Sequence, residues 1–217
     1  MKDNSKERKL YPSLVIHSTD NSFGFGLRKN NNAESDEIFI KKFDNDLCKN
    51  LISDFNQFIS KENLRKVNKI AVSIGPANFN ASRLIVVLAR TISQQINCPL
   101  NSFSSFKIIA RRIASKNNIF TNKQSFWIYK KLKRKGFIAG KYKICDNEQK
   151  KADLIVREIV APKVIKEFES KELFFEANYE DKEDLAELLN LSNENFLNTN
   201  ENSWQKVLPL YPLSPIN

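Results

Sequence analysis

The 217-residue chain is 41% hydrophobic and carries 16 Phe, enough apolar area for one α/β domain or two compact lobes. No apolar run reaches the roughly 18 residues that span a bilayer, and residues 1–10 lack the apolar stretch of about 7–15 that an export leader needs, so a cytoplasmic protein without a membrane segment is expected. A formal net charge of +10 suits polyanionic partners or a solvated surface, while the 3 Cys (Cys48, Cys98, Cys145) are too widely spaced for a zinc finger and fit reduced thiols.

Three short strands are predicted in succession at 12–19, 22–29 and 35–42, broken by Thr19-Asp20-Asn21 and by Lys29-Asn30-Asn31-Asn32. They form a meander. Behind Asp44 as N-cap, Leu47, Leu51, Ile52, Phe55, Phe58 and Ile59 recur at helical spacing through residue 60. Residues 69–73 read as a buried strand ending in the Gly75-Pro76 turn. Asn80 then caps a helix to about residue 97, whose apolar centre at 84–89 implies burial on more than one side. Residues 100–103 are extended, and a third helix capped by Ser104 or Ser105 turns Phe106, Ile109, Ala110 and Ile113 inward. That helix closes a first lobe, residues 11–115.

Residues 116–217 make a second lobe. Its first elements are an aromatic hairpin, 124–129 with 136–144, joined by the basic stretch 130–135. A strand at 154–160, a short helix at 181–189 and a polar loop at 193–202 follow. Pro209, Pro212 and Pro215 keep 207–217 extended.

The stretch from Ile70 to Arg83 places a Gly-Pro turn between a strand and a helix N-terminus. Gly75, Pro76, Asn78 and Phe79 shape the turn, and free N–H groups with Arg83 could hold a phosphate there; a purely structural turn is the alternative. Such a strand, Gly-Pro turn, Phe, Arg and apolar helix resemble the TsaB (YeaZ-like) family. The likeness extends to the opening strand at Leu14-Val15-Ile16-His17-Ser18-Thr19, to Cys98-Pro99-Leu100 through Ser104-Ser105-Phe106, and to the closing Leu208-Pro209-Leu210-Tyr211. Ala77, Ala81 and Ser82 interrupt the family's Gly-rich pattern, and His17 stands where the family carries an Asp.

The resemblance implies a two-lobed actin-like ATPase (ribonuclease H-like) α/β fold with mixed sheets flanked by helices. It also implies a non-catalytic subunit that supports a TsaD-like enzyme, and through it a TsaE-like ATPase, in forming threonylcarbamoyladenosine beside the tRNA anticodon. A homodimer, or a nucleotide at the partner interface, would be compatible with that role. Otherwise no cofactor is expected. The resemblance favours partner contacts through Leu51, Phe55, Ile85, Val86 and Leu88, whose alternative role is core. His17 cannot supply the hard oxygen ligand that Mg²⁺ prefers, and as the only histidine it rules out a multi-histidine metal site. Lys130, Lys131, Lys133, Arg134 and Lys135, with Trp127, Tyr129 and Phe137 nearby, could contact RNA or form a solvated hairpin tip. Stand-alone RNA binding is therefore the rival function.

Overall fold

A computed structural model describes residues 12–30, 33–43, 47–116, 125–132, 136–145, 155–168, 173–195 and 204–212. The meander forms as β1 (Ser13–Ser18), β2 (Ser22–Arg28) and β3 (Glu37–Lys42). Its third strand starts later than expected because Ala33–Ser35 closes a 3-10 turn, with Asp36 N–H on the Ala33 carbonyl. Next come α1 (Leu47–Phe58), a short α2 (Lys61–Lys66) that the apolar spacing did not reveal, β4 (Lys69–Ser73), α3 (Phe79–Ile96), β5 (Leu100–Phe103) and α4 (Ser105–Lys116). Asp44, the expected cap of α1, lies outside the described residues. The cap of α3 is Asn78 rather than Asn80: its side-chain oxygen accepts the Ala81 N–H at 3.1 Å.

The second half supplies β6 (Ser125–Lys131), β7 (Phe137–Cys145), β8 (Ile155–Ile165), β9 (Leu173–Glu176) and α5 (Asp181–Asn195), then a 3-10 turn at Trp204–Lys206. Strand β8 is longer than predicted, β9 was not predicted, and α5 continues into the stretch expected to be a polar loop.

The first sheet runs β3-β2-β1-β4-β5, with β1 antiparallel to β2 and parallel to β4. The second runs β8-β7-β6-β9, again an antiparallel meander whose first strand pairs in parallel with the next strand to arrive. Each lobe thus winds the same way. This is the expected two-lobed actin-like α/β fold.

One face of the first sheet, with Leu14, Ile16, Phe25, Ile70 and Val72, packs on Leu51 and Phe55 of α1 and Ile85, Val86 and Ala89 of α3. Its other face, with Val15, Ala71 and Phe103, is closed by Leu185, Leu188 and Leu189 of α5. Two glycines let α5 approach: a Cβ on Gly24 would stand 2.7 Å from Leu185 Cδ1, and one on Gly26 would stand 3.2 Å from Leu189 Cδ1. Helix α4 turns Phe106, Ile109, Ala110 and Ala114 to the second sheet, against Phe126, Ile128 and Tyr142.

The strands of the first sheet lie within 13–103 and those of the second within 125–176, while the helices cross between the sheets. Helix α4 covers the sheet that follows it, and α5 returns to the first sheet. The two helices are also tied by ion pairs from two buried arginines of α4 to α5 and to Glu180 just before it. Arg111 meets Glu187 at 2.8 Å and also pairs with Glu194; Arg112 meets Asp184 at 2.7 Å and also pairs with Glu180.

Candidate functional site

The β1–β2 turn and the Gly75-Pro76 turn meet at the ends of β1 and β4. Thr19 accepts the Asn78 N–H on its carbonyl at 3.3 Å and the Ser22 N–H on its hydroxyl at 3.0 Å. Gly75 has φ of +99°, a conformation that suits a residue without Cβ, and Pro76 beside it is buried. Three carbonyls of this turn are engaged by the chain itself. The Ser105 N–H binds the Gly75 carbonyl at 2.7 Å, the Leu210 N–H binds the Ile74 carbonyl at 2.7 Å, and the Tyr179 hydroxyl donates to the Pro76 carbonyl. Because Asn78 occupies the Ala81 N–H, part of the α3 N-terminus that could cradle an anion is already capped. Arg83 lies one turn further on, with its guanidinium 5.5 Å over the Phe79 ring.

Beside this junction a cleft of about 630 Å³ opens between Thr19, Asp20, Asn21 and Ser22 of the first lobe and Ala177, Asn178, Tyr179 and Asp181 of the second, with Lys42 and Phe43 at its margin. The Ser22 hydroxyl donates to Asp181 at 2.6 Å, while Lys130 pairs with Asp20 and sits 5.8 Å over the Tyr179 ring. Burial first, then the Asp20 and Asp184 carboxylates, push the Tyr179 hydroxyl well above its ordinary range, so it remains a donor. The cleft draws on segments far apart in sequence, so Tyr179 and Asp181 carried no local signal.

Behind the cleft, His17 points from β1 toward α5, its Nε2 4.0 Å from Asp184. Burial pushes the imidazole down to about 4, against the attraction of Asp181 and with the repulsion of Arg112, so it is neutral near pH 7. Burial pushes Asp184 up to about 6, opposed by Arg112. Among the described residues neither ring nitrogen has a hydrogen-bond partner, and no group of three or more His, Cys, Asp or Glu is placed to hold a metal ion.

The helices proposed for partner contact offer a different set of side chains from the one read from sequence. Leu51, Phe55, Ile85, Val86 and Leu88 are all buried in the first lobe's core, because the apolar run of α3 sits on the sheet. Among the described side chains of these helices, the large exposed apolar ones are Ile52 (52% exposed), Phe79 (39%) and Val87 (58%). Phe79, Arg83, Val87 and Arg90 follow one another at spacings of four, four and three, along one stripe of α3. The C-terminal segment runs beside it. Trp204 lies under Arg90 with 5.7 Å to the ring centroid, and Tyr211 packs on Phe79 at 4.8 Å, so residues 204–211 pass antiparallel to α3 over about 16 Å. Val207 turns into the core and Leu208 turns out, 61% exposed. The stripe of α3 and its strap carry Arg83, Arg90 and Lys206 and no carboxylate.

The basic hairpin divides. Lys130 pairs with Asp20 of the cleft, Lys131 is exposed at the end of β6, and Lys133, Arg134 and Lys135 lie outside the described residues. No helix among the described residues is long and apolar enough to cross a membrane.

Among solved structures, a Pseudomonas aeruginosa protein described as uncharacterized and similar to the peptidase YeaZ superposes with a TM-score of 0.70, over 94% of this chain and 100% of that one, at 12% identity. YeaZ from Pseudomonas aeruginosa superposes at 0.66, over 93% and 100%, at 14% identity. The chain has the YeaZ fold. No protein-family model matches the sequence, and no curated protein does either. The YeaZ fold is thus reached with few residues in common.

Proposed function

We propose that this chain is a TsaB-type subunit of the cytoplasmic machinery that makes threonylcarbamoyladenosine on tRNA. It acts as a non-catalytic scaffold and activator of a TsaD-like enzyme, with a TsaE-like ATPase joining the assembly and tRNA engaged through the complex. The observation that carries the reading is the stripe Phe79–Arg83–Val87–Arg90 with its strap, an apolar centre bordered by cations on a helix whose other side is core. The YeaZ fold supplies the context. His17 supports the non-catalytic part: a buried neutral imidazole stands at the end of β1, where the resemblance expects an acidic residue.

The test is co-purification of the full chain with the TsaD-like protein of the same cell. Val87→Glu and Leu208→Glu, both at exposed positions, should each weaken the pair at least about tenfold, as expected for the centre of an interface. A wild-type chain that fails to associate would overturn the reading, as would charge substitutions that leave the pair intact.

A further inference from the structure

The second sheet has two unlike faces. Helix α4 covers the face of Phe126, Ile128, Ile138 and Ile144. The pairing register sets the opposite face: Trp127 is across from Lys141, Lys131 from Phe137, and Trp127 from Phe174 on its other side. Trp127, Tyr129, Phe137 and Phe174 are all half-buried there, a period-two pattern in which the second set of side chains is as aromatic as the core set. Phe168 lies among them, with ring centroids 4.4 Å from Phe174, 4.9 Å from Phe137, 5.7 Å from Tyr129 and 6.0 Å from Trp127.

Cations border this aromatic ground. Lys141 places its ammonium 5.8 Å over the Trp127 ring. Lys143 pairs across from Arg157, and Ala139 from Lys163, so Lys131, Lys141, Lys143, Arg157 and Lys163 share the face with the rings. Glu176, across from Tyr129, is the carboxylate that the β6–β9 register adds.

The geometry points to this face as a binding platform for single-stranded RNA. Every base has a flat apolar face that stacks on an aromatic ring, and each phosphate between bases meets a lysine or arginine. An acidic protein segment would use the cations but leave the ring faces unmatched. A duplex would present its phosphates with the base faces already stacked on each other. The platform does not depend on the partner reading: it uses the opposite lobe from the α3 stripe, and either can fail alone.

The experiment is fluorescence anisotropy on the full chain with a labelled 12-nucleotide single-stranded RNA, the same RNA annealed to its complement, and a poly-glutamate peptide. The single strand should bind more tightly than the other two. Trp127→Ala should weaken it about tenfold or more, the loss expected for one stacked base, while Trp127→Phe should retain most of the affinity. Because Arg157 and Lys163 are exposed, Arg157→Gln with Lys163→Gln should leave the fold intact and reduce the slope of log K against log salt by about 0.7 for each cation removed. Equal binding of duplex or poly-glutamate, an unchanged affinity in Trp127→Ala, or an unchanged salt slope in the double Gln variant would overturn the assignment.

Discussion

In the first lobe the connection from β3 to β4 spans residues 43–68 and holds two helices; in the second lobe the connection from β8 to β9 spans only 166–172. The strand order is otherwise the same as far as it goes. With α1 and α3 on one face and α5 on the other, the first sheet is buried on both sides, and β1, β2 and β4 are buried at every position. The second sheet alternates buried and half-buried along β6 and β7: among the described residues no helix lies on its second face, where the short connection from β8 places only the Phe168 ring. One winding pattern thus yields a sheet covered by helices on both faces and a sheet with a helix, among the described residues, on one face alone. Side-chain chemistry follows: neighbouring residues such as Val15 and Ile16, or Ala71 and Val72, are apolar toward both faces of the closed sheet, and rings with lysines occupy the second face of the other.

The seam between the lobes should give the largest effect. Arg112→Ala leaves Asp184 buried without its partner, and a cost of about 3–5 kcal/mol is expected, read as a drop in the urea midpoint. A variant within 1 kcal/mol of wild type would mean, on this order-of-magnitude scale, that the lobes do not depend on the α4–α5 tie. Equal truncations then compare the two sheets directly. Leu188→Ala beneath the sealed sheet should cost about 2–5 kcal/mol, and Phe174→Ala on the open face about 1–2 kcal/mol. If the two losses match, the open face is as much core as the other.

A smaller effect concerns acid. His17, held at about 4 against an ordinary 6.5, takes up its proton more readily in the unfolded chain, so its contribution is present above about pH 6.5 and lost as pH falls toward 4. Asp184, at about 6 against 3.8, has the opposite sign: its contribution is present below about pH 4 and lost as pH rises through 6. In the wild type the two oppose each other in the same window. His17→Leu removes one of them, and between pH 6.5 and 4.5 its stability should gain about 2 kcal/mol relative to wild type. Thermal melts across that range check it; parallel curves for the two proteins would refute the opposition. Smallest is the α3 cap, where Asn78→Ala should lower stability by about 1 kcal/mol. Chemical denaturation measures this last loss.

The sequence made the first lobe legible because its cues are local. Period-two runs, a Gly-Pro stop and a long apolar helix each announce themselves within a few residues. Strand β9 did not, since Leu173–Glu176 is four residues long and becomes a strand by pairing with β6. The return of α5 to the first sheet was likewise hidden: Leu185, Leu188 and Leu189 mark an apolar face but not the sheet it meets. For the candidate site, Gly75, Pro76, Phe79 and Arg83 were visible as a motif, whereas Tyr179 and Asp181 reach the cleft only through tertiary folding. The partner residues failed for a simple reason: in a helix with apolar residues nearly all round, periodicity does not separate the buried Val86 from the exposed Val87.

The return of α5 also has a cost in time. A chain leaving the ribosome has delivered all five strands of its first sheet by Phe103, yet the helix that seals the Val15 and Ala71 face ends beyond Leu191. At about 5–20 residues per second, roughly 4–18 s pass between the emergence of β5 and that of Leu191. For that interval the nascent sheet presents a finished apolar face to the cell, which makes it a natural client for a chaperone at the tunnel exit.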